Sequence, residues 1–67
     1  MRNKVKALRE SRNLTQKELG EYVNVSRQAI NAIETGKYDP SIWLAYHLAR
    51  FFNMKIEEVF QFEEEIQ

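Results

Sequence analysis

Residues 14–37, LTQKELGEYVNVSRQAINAIETGK, contain the pattern of two short amphipathic helices joined by a tight turn. Thr15 and Glu18 have the spacing of a capping box, which predicts where the first of these helices begins. Asn24 follows at the expected corner, and asparagine tolerates a left-handed backbone conformation better than most residues with a side chain. The stretch therefore predicts a helix-turn-helix over residues 15–36.

The second helix of this pattern separates polar from apolar residues. Ser26 is its expected N-cap. At about 100° per residue, four polar side chains share one wedge: Arg27, Gln28, Asn31 and Thr35. Ala29, Ile30 and Ile33 lie on the opposite side. One face is expected to pack on the domain, and the other is expected to offer hydrogen bonds.

The polar face has the chemistry of a helix that reads DNA bases. Arg27 and Gln28 lie in its first turn, which is the part of a recognition helix that reaches base edges. Arginine and glutamine pair with two atoms of guanine and adenine, respectively. Asn31, one turn further along, extends this expected base contact. The alternative is an ordinary solvated face, which many surface helices possess.

The first helix of the pattern, expected over residues 16–23, supplies a different contact. Gln16 lies in its first turn, where unpaired N–H groups and the helix dipole favour a phosphate. We expect Gln16 and its amide to contact the DNA backbone. Gly20 has no Cβ and allows the second helix to approach closely.

These residues resemble the helix-turn-helix of the Cro/CI-type repressors, the XRE family, over nearly the whole chain. The resemblance rests on Gln16, Gly20, the apolar Leu19, Val25, Ile30 and Ile33, the sequence S-R-Q at 26–28, and Glu34-x-Gly36-Lys37. It implies an all-α, compact five-helix lambda-repressor-like domain. It also implies phosphate contacts by Gln16, Ser26 and Lys37, base contacts by Arg27 and Gln28, and a structural ion pair between Arg9 and Glu34. Asn24 departs from the family, which commonly has glycine there.

The segment after the second helix is expected to contact the DNA backbone. Gly36 is a candidate left-handed helix cap. Thr35 and Lys37 are further candidates for phosphate contacts. For Tyr38, a phosphate hydrogen bond and an aromatic ring packed on the domain are equally compatible with the sequence.

Three supporting helices are predicted from apolar periodicity, over residues 3–12, 41–52 and 55–60. The fourth helix carries a stripe expected to be buried: Ile42, Ala45, Leu48, Ala49 and Phe52. We assign residues 1–62 to one domain and 63–67 to an acidic C-terminal tail. Phe60, Gln61 and Phe62 could alternatively form a short strand.

The C-terminal third offers more apolar surface than a small domain readily buries. Val59 is expected to close the core, whereas Ile56 and Phe60 are expected at the centre of a two-fold dimer interface. Arg50 and Asp39 are predicted to form an ion pair at its rim. Trp43 is expected to be partly exposed and to belong to this interface.

The composition limits the classes of function. Residues 1–38 contain eight Lys or Arg and four Glu, a net charge of +4, and residues 39–67 contain two basic and six acidic residues, a net charge of −4. The basic half therefore carries the helix-turn-helix. The chain has no cysteine and a single histidine, His47, so neither a metal site nor a cofactor is expected. It has no catalytic motif or membrane-length apolar run, so we expect a cytoplasmic protein without enzymatic activity.

These observations predict a sequence-specific double-stranded DNA-binding transcriptional regulator. The leading hypothesis is a repressor that binds a partly palindromic operator as a homodimer, without a small-molecule effector. The alternative is a protein-interaction module, or an antitoxin-like partner, that uses the same fold. In that case an apolar group would bind the other protein: Trp43, Ile56, Phe60 and Phe62.

Overall fold

The computed structural model describes residues 1–62, which form an all-α fold as predicted. Five helices follow one another in this part of the chain: α1 (Val5–Ser11), α2 (Gln16–Val23), α3 (Arg27–Glu34), α4 (Ile42–Phe51) and α5 (Ile56–Val59). The predicted acidic tail at 63–67 lies outside the described residues. The described domain measures 34 × 23 × 20 Å along its principal axes.

Local capping sets the boundaries of the helix-turn-helix. The Thr15 hydroxyl accepts a hydrogen bond from the Glu18 amide at 3.0 Å, and Glu18 accepts one from the Thr15 amide at 2.8 Å, which confirms the capping box. Asn24 ends α2 with a left-handed φ of 68°, as expected. Ser26 caps α3 through the amide of Ala29, and this cap is confirmed too.

The outer helices are shorter than predicted. Asn3 does not begin α1, because its side chain accepts a hydrogen bond from Val5 and donates one to the carbonyl of Ile33 at 2.9 Å. Helix α5 ends at Val59, because Phe60 has an extended backbone with φ −114° and ψ 135°. The apolar periodicity of the sequence does not indicate where these two helices begin and end.

A single apolar core holds the helices together. Its buried residues come from all five helices and the two segments that follow α4 and α5. They are Val5, Leu19, Ile30, Ile33, Ala45, Leu48, Ala49, Phe52, Val59 and Phe60. The prediction for Val59 is confirmed. The prediction for Ile42 is wrong: it is 63% exposed, and the buried stripe of α4 begins one turn later, at Ala45.

The predicted place of Phe60 at the centre of a dimer interface is also wrong, because its side chain is only 1% exposed in the single chain. Phe60 forms an isolated antiparallel bridge with Asn3. Beside this bridge, the Lys4 amide donates to the Val59 carbonyl and the Gln61 amide donates to the Arg2 carbonyl. The two ends of the described chain are paired by these bonds, and the pairing places the Phe60 side chain in the core. The alternative strand at 60–62 is reduced to this one bridge.

Replacing Gly20 with alanine is expected to destabilise the domain by about 1–3 kcal/mol, the usual cost of overpacking. A Cβ at this position would lie 2.5 Å from the carbonyl oxygen of Val25, a backbone atom in the turn. Urea unfolding followed by circular dichroism measures the change. Lys17→Ala, an exposed position of the same helix, is the control and should change stability by less than about 0.5 kcal/mol. Equal stability of Gly20→Ala and this control would contradict the close approach of the turn.

Candidate nucleic-acid interface

Helix α3 presents the predicted polar face to solvent. Arg27, Gln28 and Asn31 are all exposed, whereas Ile30 and Ile33 on the opposite side are fully buried. Burial of the two isoleucines fixes how the helix is rotated, because turning it would expose them to water. The three polar side chains therefore project from one surface.

Helix α2 lies against α3 and brings Gln16 to the same surface. Its side-chain Nε2 donates hydrogen bonds to the Oδ1 of Asn31 at 3.1 Å and to the Oε1 of Glu34 at 3.0 Å. The structure therefore joins a predicted phosphate contact to a predicted base contact. The sequence alone does not reveal this link, although Asn31 and Glu34 have the i, i+3 spacing that places both on one side of α3.

Arg9 and Glu34 form the ion pair that the family resemblance implies. Arg9 donates from Nε to Glu34 Oε2 at 2.7 Å and from Nη2 to Oε1 at 3.2 Å, and its Nη1 donates to the Leu14 carbonyl at 2.7 Å. The hydrogen bond to Glu34 raises the pKa of Arg9 above its usual value, although burial opposes this rise. The Glu34 side chain is 2% exposed. The pair therefore links α1 to the C-terminal end of α3.

The hydrogen bonds of Gln16 limit how it can contact a phosphate. Both N–H groups of its side-chain amide are used inside the domain, and the remaining oxygen is only an acceptor. Its backbone N–H lies in the first turn of α2 and has no intrahelical acceptor. The structure thus leaves the backbone amide, rather than the side chain, as the donor for a phosphate.

The other phosphate candidates differ in what they can donate. The Ser26 hydroxyl oxygen accepts the capping bond, so its own hydrogen remains available. The Thr35 hydroxyl instead donates to the carbonyls of Asn31 and Ala32, so it is used within the helix. Lys37 is exposed and Tyr38 is 48% exposed, directly after Gly36 with its left-handed φ of 78°. Ser26, Lys37 and Tyr38 are therefore the side chains with donors to offer.

The predicted dimer residues differ in how far they are exposed. Trp43 is 72% exposed, whereas Ile56 is half-buried against the core. Asp39 contacts the Met1 ammonium at 3.2 Å, and Arg50 donates to the Tyr46 hydroxyl at 3.3 Å. Each member of the predicted intersubunit ion pair therefore has a partner within its own chain.

Within residues 1–62, no cluster of His, Cys, Asp and Glu side chains has the arrangement of a metal site. In the same region, no helix has both the length and the apolar character needed to cross a membrane.

The arrangement matches known proteins in sequence and in fold. Residues 5–59 match the helix-turn-helix family. An HTH-type transcriptional regulator of Methanocaldococcus jannaschii is 52% identical over 65 residues, covering 97% of this chain and 98% of that one. The HTH-type transcriptional regulator YgzD of Bacillus subtilis is 51% identical over 65 residues, with the same two coverages.

A solved structure shares the fold. The P22 c2 repressor, in complex with a synthetic operator, superposes with a TM-score of 0.77 at 24% sequence identity, covering 81% of this chain and 82% of that one. This likeness shows the lambda-repressor-like fold that the sequence predicted. The family match over residues 5–59 and the identity to these relatives show that the chain belongs to the XRE-type helix-turn-helix family of transcriptional regulators.

Proposed function

We propose that the protein is a sequence-specific repressor that binds a partly palindromic operator as a homodimer. The observation that carries this proposal is the surface of α3, where Arg27, Gln28 and Asn31 project together from a helix whose other face is buried. An α-helix of this kind fits the major groove of DNA. Repression follows if an occupied operator blocks access to the promoter.

Two sets of contacts would contribute to DNA binding. Arg27, Gln28 and Asn31 would contact base edges, while the backbone amide of Gln16 and the side chains of Ser26, Lys37 and Tyr38 would contact phosphates. Thr35 would join this second set only by giving up its bonds within the helix. Base contacts specify the sequence and phosphate contacts position the protein on it.

The charge distribution also supports binding to DNA through the helix-turn-helix. Residues 1–38 carry a net charge of +4, and residues 39–67 carry a net charge of −4. The basic half contains the helix-turn-helix, so it would face the phosphates and release counterions on binding. The proposed unit is one DNA-binding domain over residues 1–62, acting in the cytoplasm without cofactor, small-molecule effector or enzymatic activity.

A homodimer would match the two-fold symmetry of a palindromic duplex. Two recognition helices would then be about 34 Å apart, one turn of DNA. We propose that Trp43 and the exposed part of Ile56 form the contact, with Arg50 and Asp39 at its rim. The P22 c2 repressor has the same fold and is found in complex with a synthetic operator, which supports the proposal that this protein is a repressor.

Arg27→Ala and Gln28→Ala are each expected to cost about 1–3 kcal/mol of operator affinity and to relax the preference at particular base pairs. Both side chains are exposed, so neither change should unfold the domain. Sequences bound by each variant are selected from a random DNA pool, and affinities for the wild-type site are measured by mobility shift. Lys37→Ala is the matched control, since a lost phosphate contact weakens binding equally on all sequences. A uniform loss for Arg27→Ala and Gln28→Ala as well would refute base reading.

Trp43→Lys is expected to shift the protein from dimer to monomer, because it places a charge in the proposed contact. Sedimentation equilibrium measures the dissociation constant, and we expect it to rise at least about tenfold, as for a change that costs 1.4 kcal/mol. Tyr22→Lys is the control, since Tyr22 is a similarly exposed aromatic residue at 67%. Equal dissociation constants for both variants would place the dimer contact elsewhere.

The mobility-shift assay also separates this proposal from a protein-interaction module with the same fold. Such a module would retard no operator, even at low salt. The apolar group expected to serve that module is divided in the structure, because Phe60 is buried in the core while Trp43 and Phe62 are exposed. DNA binding is therefore the function that the geometry supports best.

A further inference from the structure

Asn3 links the residues before α1 to the C-terminal end of α3. Its side-chain nitrogen, Nδ2, donates to the Ile33 carbonyl at 2.9 Å and to the Met1 carbonyl at 3.3 Å. Its side-chain oxygen accepts from the Val5 amide at 3.1 Å. The backbone of Asn3 is itself held by the bridge with Phe60. Both ends of the Asn3 amide are therefore used within the domain.

Two of these bonds border segment 36–38, through which the chain leaves α3. The Ile33 carbonyl, which accepts from Asn3, also accepts from the Gly36 amide at 3.1 Å. The Met1 carbonyl oxygen, which accepts from Asn3 as well, lies 3.6 Å from the point that a Cβ on Gly36 would occupy. Asn3 therefore holds two groups that contact the first residue of the segment.

Gly36 benefits from such support because it sets the direction in which Lys37 leaves α3. Its φ is 78°, and glycine has more backbone freedom than any other residue. The amides of Lys37 and Tyr38 both donate to the Ala32 carbonyl, at 3.0 and 3.2 Å, which holds the rest of the segment against α3. With Asn3 beside Gly36, the exposed side chains of Lys37 and Tyr38 start from a restrained backbone.

Restraint of this segment before binding affects affinity for DNA. A group that is already ordered in the free protein loses less conformational entropy when it meets its partner. A phosphate contact by Lys37 or Tyr38 is therefore stronger when the backbone that carries it is held in place. Because phosphate contacts carry no sequence information directly, the gain is the same on every operator.

We propose that Asn3 is a positioning residue for the DNA-backbone contacts of Lys37 and Tyr38. The inference rests on the proposed function, because it requires these two side chains to meet phosphates. It goes further by giving a role in DNA binding to a residue outside the helix-turn-helix, and by separating that role from base contacts by α3.

The test uses the full chain and the operator that the wild type selects from a random DNA pool. Neutral methylphosphonates replace its phosphates one at a time, and mobility shift measures the affinity. A phosphate whose replacement weakens binding by the wild type, but not by Lys37→Ala or not by Tyr38→Phe, is the one that the altered residue contacts. We call these the segment phosphates.

Asn3→Ala is expected to bind the unmodified operator about three- to tenfold more weakly, the entropic cost of ordering one or two side chains. Its loss of affinity on replacement of a segment phosphate should be smaller than that of the wild type. Losses at the other phosphates should be unchanged. The base preferences selected from the random pool should also be unchanged, because the change acts on phosphate contacts alone.

Asn53→Ala is the matched control. The substitution is the same and changes no charge, and it lowers stability because Asn53 has a left-handed φ of 59°. Asn53 follows α4, and its amide donates to the Arg50 carbonyl rather than to segment 36–38. We expect this variant to keep the operator affinity and the methylphosphonate pattern of the wild type. Urea unfolding followed by circular dichroism compares the stability of both variants.

Asn3→Ser is the second variant, for use if Asn3→Ala does not fold. Its hydroxyl can still accept from the Val5 amide, as serine does near helix starts. Its shorter side chain is expected to lose the bond to the Ile33 carbonyl. The same weaker binding and the same reduced sensitivity at the segment phosphates are expected.

The possible failures are distinguishable. If the wild type selects no sequence, the proposed function fails, and this inference fails with it. If an operator is selected but no phosphate depends on Lys37 or Tyr38, or if folded Asn3 variants keep full sensitivity at the segment phosphates, the inference alone is overturned. A loss spread equally over all phosphates and shared by Asn53→Ala would reflect lower stability and would also overturn it.

Discussion

Arg9→Met is expected to destabilise the domain by about 3–5 kcal/mol, the usual cost of removing one member of a buried ion pair. Glu34 would keep a carboxylate that is 2% exposed, and of its hydrogen bonds to Arg9 and Gln16 only the one from Gln16 would remain. A domain of this length has a total stability of only about 3–10 kcal/mol. We therefore expect a large unfolded fraction at 25 °C, measured by urea unfolding followed by circular dichroism.

The matched control removes both charges at once. In Arg9→Met with Glu34→Leu no unpaired carboxylate remains, and apolar replacements of a buried pair are often neutral or stabilising. We expect the double variant to recover most of the stability that Arg9→Met loses. Equal instability of the single and double variants would mean that packing of the Arg9 stem, rather than the charge pair, holds α1 against α3.

Features that depend on neighbours in sequence were predicted correctly. Thr15 with Glu18, Asn24 and Ser26 act through backbone groups at most four residues away, so their residue types are sufficient to locate the ends of α2 and the start of α3. Burial of Ile30 and Ile33 follows from helical periodicity for the same reason. The helix-turn-helix is therefore predictable from interactions between residues that are close in sequence.

Features that depend on distant contacts were not predictable in this way. The sequence predicts a phosphate contact for Gln16, but nothing near Gln16 in sequence indicates that its side-chain nitrogen donates to Asn31 and Glu34. Ile42 matches the apolar period of α4, yet the buried part of this helix begins only at Ala45. Periodicity reports which residues share a face, but not how far along a helix its neighbours extend.

Phe60→Ala is expected to destabilise the domain by about 3–5 kcal/mol, because it removes a large aromatic side chain from the core and leaves a cavity. Phe60 is 1% exposed, and its backbone is held by the bridge to Asn3. We expect a fall in Tm and in the urea midpoint, with an altered oligomeric state only as a consequence of unfolding. Phe62→Ala is the control, since Phe62 is 37% exposed and lies two residues further along the same segment.

The opposite result would restore the interface that the sequence suggested. If Phe60→Ala stayed as stable as Phe62→Ala and became monomeric, the ring would have to leave the core and contact a second chain. That change would break the bridge to Asn3, and with it the bonds from Lys4 to Val59 and from Gln61 to Arg2. Amide hydrogen exchange at Lys4 and Gln61 in the wild type therefore decides between the two arrangements. Protection that is independent of protein concentration supports burial of Phe60 within its own chain.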